Sequence, residues 1–141
     1  MSAENVAASR RFIEEAFNQG KFDVIDDICA EGFVNHDPMT GEQDAEAGKQ
    51  SIAGYRQAFP DLHCTIEEVI DAGDTVVYRW SANGTFDNEF MGLQPTHEKG
   101  DPVKGITIDR YDGGELVESW SQWDTLTLMR DMGAIPAAAA S

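Results

Sequence analysis

Positive charge is scarce in this chain: of 141 residues, 10 are Lys or Arg against 26 Asp or Glu, a formal charge of −16. A field of that sign repels phosphate backbones, so nucleic acid is not an expected partner, and polyanionic substrates are disfavoured. The acidity itself reads as a solvated surface that aids solubility. Cysteine is nearly absent too. Cys29 and Cys64 lie far apart in no CxxC spacing and read as small buried thiols. The three histidines, His36, His63 and His97, form no HxxxH or HExxH pair, so no metal is expected. Neither GxGxxG nor GxxxxGK[ST] occurs, and no cofactor is expected. No apolar run approaches the roughly 20 residues of a membrane span, so no membrane partner is expected. The stretch from Met1 to Arg11 lacks the basic start and apolar core of a signal peptide, which makes the cytoplasm the expected compartment.

What is present organises as one domain over 1–133 with a low-complexity tail over 134–141. Val6, Ile13, Ala16 and Phe17 form a helical stripe that Ser2 or Asn5 could cap and Asn18-Gln19-Gly20 would stop. A second helix is predicted from Phe22 to Ala30, and a third from about Asp44 to Phe59, ended by Pro60. Phe33 to His36 reads as a brief strand broken by Asp37-Pro38, and Met39 to Gln43 as a loop. Then the period changes to two. Strands are predicted over 62–70, 75–83, 85–90, 103–111 and 115–123, with turns at Gly73-Asp74 and Gly113-Gly114 and a long connection over 91–102. Helices followed by a meander argue an α+β design, a curved antiparallel or mixed sheet wrapped over three N-terminal helices as a cone with an open mouth. One sheet face left bare suggests a homodimer or higher homo-oligomer.

Chemistry concentrates near the end of the chain. Read at a period of two, Glu118, Trp120, Gln122 and Asp124 share one strand face. Asp124 is either a helix cap, since it precedes a short helical run, or a sheltered acid that exchanges protons near neutral pH. His36 stands at a strand end, where it could hold a substrate oxygen or be satisfied by its neighbours. Arg79 and Trp80 point to opposite faces; the indole is the natural wall and Arg79 the surface charge. Tyr55, Phe59, Phe86, Phe90 and Trp120 could line a hollow for a flat ligand or be plain core. Thr107 and Asp109 share a face, with Asp109 either a second acid or part of a solvated face.

Five segments in order, Phe33-Val34-Asn35-His36-Asp37-Pro38, Ala58-Phe59-Pro60-Asp61-Leu62-His63, Gly73 to Trp80, Glu89-Phe90-Met91-Gly92 and Glu118 to Asp124, resemble the SnoaL-like polyketide cyclases, or ester cyclases, of the NTF2-like α+β cones. The resemblance implies cofactor-free intramolecular aldol ring closure of a small aromatic polyketide ester, with Asp124 as acid and base and His36 at a pocket position. Gln122 would help hold the substrate oxygen, and Tyr55, Phe59, Trp80, Phe86, Phe90, Thr107 and Trp120 would line the pocket. Two departures stand out: Gly84-Thr85-Phe86 where the family often has Gly-Thr-His, and an expanded loop at 95–102, where His97 could compensate. The same hollow could serve a ketosteroid-isomerase-like isomerisation, or an epoxide hydrolysis if Arg79, Asp109 and Asp124 met in it. A non-catalytic binding or assembly module that keeps only the cone is the reading that Phe86 favours.

Overall fold

The computed structural model describes residues 2–135. Four helical segments lie against one face of a six-stranded sheet: α1 (Ser2–Arg11), a π-helical continuation (Phe12–Phe17), α2 (Asp23–Ile28) and α3 (Ala45–Ala58). The strands are β1 (Cys29–Asp37), β2 (Gly41–Gln43), β3 (His63–Ala72), β4 (Thr75–Asn83), β5 (Val103–Asp112) and β6 (Glu115–Trp123), and α4 (Thr125–Asp131) closes the described chain. Their order across the sheet is β2-β1-β6-β5-β4-β3, antiparallel except that β1 runs parallel to β6. This is the expected α+β cone. The tail assigned to 134–141 lies outside the described residues from 136 onward.

The local chemistry accounts for each element. Asp44 caps α3 by accepting from the Ala47 amide at 2.8 Å, satisfying a donor that the first helical turn leaves orphaned. Gly113 and Gly114 turn β5 into β6 with φ of 59° and 85°, the two positive values that a type I′ hairpin needs and that side chains resist. On β5 every second residue from Val103 to Tyr111 is buried, which fixes that strand's inner face. Ile13, Ala16, Val24, Ile25, Ile28, Phe33 and Ile52 from the N-terminal layers meet Val76, Tyr78, Tyr111 and Leu116 of the sheet in the main core. A second cluster, Ala58, Phe59, Phe86, Val103, Leu128 and Met132, seals the far end.

Several boundaries differ from the pattern reading. The first helix widens at Phe12 into a π turn, so that Phe12 and Phe17, five apart, both reach the interior. β1 starts at Cys29 instead of Phe33, because Cys29 pairs with Leu116 of β6 before the register shifts and resumes at Val34 with Glu118. Gly41–Gln43, expected as a loop, pairs with Asn35–Asp37 as an edge strand. The segment 85–90 is not a strand: its bridges, Thr85 with Lys99 and Phe90 with Leu93, are isolated, and it is tied down instead by bonds such as the Asp87 amide to the Ala58 carbonyl at 2.9 Å and Thr85 to the Asp61 carboxylate.

Candidate functional site

The inner face of the sheet is built from cross-strand rows. Trp80, Gly105 and Trp123 stand side by side, then Tyr78, Thr107 and Ser121, then Val76, Asp109 and Ser119, with Asn35 of β1 next to Ser119. Helices cover these rows incompletely, and the interior keeps a hollow of two lobes. One, about 110 Å³, is walled by Phe59, Leu62, Ala82, Val103 and Leu128, with Asp101 and Asp131 at one end. The other, about 160 Å³, is lined by Asn35, Asp37, Gln43, Ser51, Thr107, Asp109, Ser119 and Ser121 among the apolar groups Phe12, Ile13, Ile52 and Leu116. Phe17, Tyr55, Trp80 and Trp123 belong to both and form the junction. The larger lobe is of the size that admits a single aromatic ring, as an apolar cavity of ~150 Å³ takes benzene, and the apolar lobe is no larger than that.

Asp109 is the chemically unusual wall residue. It is 2% exposed, its Oδ2 accepts from Ser9 Oγ at 2.7 Å and its Oδ1 from Ser119 Oγ at 2.6 Å. Ser9 Oγ also meets the Tyr111 hydroxyl at 2.8 Å. Neither lobe has a Lys, Arg or His on its wall among the described residues. Burial without a cation pushes the Asp109 carboxyl up to about 6, and the two serine hydroxyls hold back a larger rise. Tyr55 answers it from α3. Its phenol is pushed up to about 12 by burial and by the Asp37 charge, so it stays a neutral donor, engaged only by a long 3.6 Å contact to Met39 Sδ.

The residues read from the strand pattern divide between the two faces. Tyr55, Phe59, Trp80 and Thr107 line the hollow. Asp124 does not: it is the exposed N-cap of α4, accepting from the Thr127 amide at 3.0 Å and the Thr127 hydroxyl at 2.6 Å. Those hydrogen bonds, the hydroxyl's first, hold its carboxyl below the ordinary range, the opposite of a sheltered acid. His36 is likewise on the outer face, stacked on Trp120 with centroids 5.4 Å apart and bonded through Nε2 to Glu118 at 2.7 Å. Trp120 and Gln122 face outward with it; Arg110 covers the Trp120 ring at 4.8 Å. Phe86 is buried against Phe59 at 5.3 Å and lines neither lobe. Phe90 packs on Tyr55 and borders a separate surface recess with Met39 and Met91. His97 is exposed beside Asp87, 3.1 Å away, and does not reach the hollow.

One extra residue causes the inversion. Leu116 pairs with Tyr111 while Glu118 pairs with Arg110, leaving Val117 as a bulge in β6. A period-two count from buried Leu116 puts Glu118, Trp120 and Gln122 inside; the bulge turns Ser119, Ser121 and Trp123 inward instead. Asp109, whose solvated reading the burial overturns, carried a usable signal: it shares the phase of Val103 and Tyr111, the apolar ends of its strand. Asn35, Asp37, Gln43 and Ser51 had none, since a polar side chain on a short strand or helix names no face. Arg79 bonds Glu68 outside at 3.2 Å, so the Asp–Arg–Asp constellation of an epoxide hydrolase does not assemble. Among the described residues no group of three or more His, Cys, Asp or Glu side chains could hold a metal ion. Both thiols are pushed up to about 12, chiefly by burial, so neither is a ready nucleophile.

Fold and hollow together define the class, an NTF2-like α+β cone with a partly open, ligand-sized interior. The family model described as SnoaL-like polyketide cyclase matches residues 7–132, and the chain belongs to that family. Among solved structures it is similar to a candidate polyketide cyclase from Bacillus cereus, at 30% identity and a TM-score of 0.79 over 94% of this chain and 82% of that one. It is also similar to IdmH, a candidate polyketide cyclase from Streptomyces antibioticus, at 27% identity and a TM-score of 0.80 over 92% and 98%. A SnoaL-like candidate cyclase from Jannaschia sp. CCS1 gives 25% identity and a TM-score of 0.84 over 96% and 95%. A search of the curated proteins finds no match.

Proposed function

We propose that the chain is a cofactor-free cyclase-type enzyme that removes a proton next to a carbonyl of a small hydrophobic, aromatic polyketide-like substrate, with Asp109 as the base. The observation that carries this is a buried carboxyl, without a cation beside it among the described residues, on the wall of an aromatic hollow, where desolvation pushes it up to about 6. Such a group is ionised at neutral pH yet basic enough to share a proton in the transition state. The carbanion formed by C–H cleavage attacks a second carbonyl of the folded substrate, the C–C bond closes, and the protonated Asp109 returns its proton to the new alkoxide. The Tyr55 hydroxyl, and the one hydroxyl proton that the mutually bonded Thr107–Ser121 pair leaves free, lie on the same walls and supply donors for the developing oxygen charge. A positioned base contributes typically ~10²–10⁴-fold, and holding the chain folded adds to that.

The same carboxylate and neutral phenol also suit an isomerase-type proton shift, so the test reads the shared first step. Solvent deuterium exchange next to the carbonyl of an aromatic β-keto ester, followed by NMR, should be catalysed by the protein and abolished in Asp109→Asn. Exchange undiminished in that variant rejects the base; binding without any exchange supports the non-catalytic reading that Phe86 favours.

The partner proposed for the outer face is a second copy of the chain. Ile70, Val77, Ile108 and Trp120 form one cross-sheet row ending at His36, with Ile70 54% and Ile108 38% exposed. Arg79, Lys104 and Arg110 alternate there with Glu67, Glu68 and Glu118, giving a nearly neutral patch on a strongly acidic chain, self-complementary across a two-fold axis. Light scattering should report a dimer, and a monomer at high protein concentration would refute the pairing.

A further inference from the structure

Gly105 has no room for a side chain. A Cβ there would stand 2.6 Å from Trp80 Cε2 and 2.8 Å from Trp123 Cβ, below any separation that packed carbon atoms adopt. The Trp80 indole therefore lies across the bare backbone of β5, and its position is fixed along its N–H edge. Its ring edge rests on Gly105, and its Nε1 donates to Thr107 Oγ1 at 3.0 Å, which in turn meets Ser121 Oγ at 3.0 Å. Trp123, on the other side of Gly105, is tethered in the same sense, Nε1 donating to Asp37 Oδ2 at 3.0 Å. Both indoles thus turn their N–H edge to the polar lobe, while their rings also bound the apolar one.

We infer that Trp80, seated on Gly105 and tethered to Thr107, is a specificity-determining partition that sets how many fused rings the substrate carries. It rests on the reading that the hollow is the substrate site. The partition keeps the flat ring system in the apolar lobe and the oxygen-bearing, reacting segment in the polar lobe beside Asp109. A larger fused system must displace the indole, which breaks the Thr107 hydrogen bond and has nowhere to go while β5 and Trp123 hold the other side. Size discrimination by a pocket wall is typically worth ~10–200-fold.

The test uses binding and not turnover, so a failed base assignment leaves it intact. Dissociation constants are measured by calorimetry for acetophenone, 2-acetonaphthone and 2-acetylanthracene on wild type, Trp80→Ala and Thr107→Val, with circular dichroism confirming the fold. Wild type should favour the one-ring ketone over the two-ring ketone and, most strongly, over the three-ring ketone. Trp80→Ala, which joins the lobes, should shift that ratio at least ~10-fold toward three rings, and Thr107→Val, which frees the indole, should shift it in the same direction by less. Gly105→Ala should weaken all three and the largest most. If Trp80→Ala does not fold, Trp80→Phe takes its place beside Thr107→Val. A three-ring to one-ring ratio within twofold of wild type in the folded variants overturns the inference, and so does a wild type that binds all three ketones equally.

Discussion

Asp109 and Asp124 are two aspartates of one β-hairpin region, and they illustrate opposite uses of the same side chain. Asp109 faces inward, with two serine hydroxyls for partners and no cation, and its proton affinity rises. Asp124 faces water, capping a helix through Thr127, and its proton affinity falls. Neither difference comes from the residue type. Asp109 lies in a strand whose every second side chain is buried, while Asp124 follows the last residue of β6, where the backbone leaves the sheet. The lesson is that desolvation outweighs two hydrogen bonds at Asp109, whereas at the exposed cap the hydrogen bonds have almost nothing to oppose them.

The sharpest way to break this contrast is to exchange each acid for its amide. Asp109→Asn should lower turnover by about 10²–10⁴-fold with binding retained, and Asp124→Asn should leave turnover near wild type, as read by initial rates; the reverse result would return the chemistry to the outer face. The next effect is on stability. A folded pKa of about 6 lies above the unfolded carboxyl value of about 3.9, so the folded state holds the extra proton between them. The Asp109 contribution is complete below about pH 4 and is lost as pH rises through about 6, on the order of 3 kcal/mol. Urea unfolding of wild type minus Asp109→Asn, taken across that window, should show the loss, and a flat difference would contradict it.

Smaller changes sharpen the comparison. Ser119→Ala removes a hydrogen bond that favours the ionised carboxyl, so the acidic limb of the rate profile should move to higher pH; an unmoved limb means Ser119 does not tune the acid. Asp124→Ala should cost about 1 kcal/mol of stability through the lost cap, measured by chemical denaturation, with the same limb unshifted.

Much of the architecture was legible because it follows from local rules. The stripe through Ile13, Ala16 and Phe17, the Pro60 stop and the paired glycines at 113–114 each act within a few residues, and the structure carries elements where they place them. What escaped the pattern depends on partners far along the chain. The β1 extension back to Cys29 needs β6 beside it, and the Gly41–Gln43 edge needs β1. The site suffered more, because a single unpaired residue, Val117, reverses every inward assignment after it. Trp80 lies on the inner wall in phase with its strand, since β4 has no such slip and its partners run in step with β5 from Thr75 to Ala82.

The bond from Ser9 to Asp109 links positions 100 residues apart, and that from His36 to Glu118 spans 82. During synthesis the N-terminal helices leave the ribosome long before the strand that carries the acid, and β1 waits for β6 to fill its central gap in the sheet. Contacts of such sequence separation form slowly, since loop closure must precede any gain from them. The hollow is therefore completed only once β6 has been made, and a nascent chain still lacking that strand exposes its aromatic lining to whatever chaperone or neighbour is at hand.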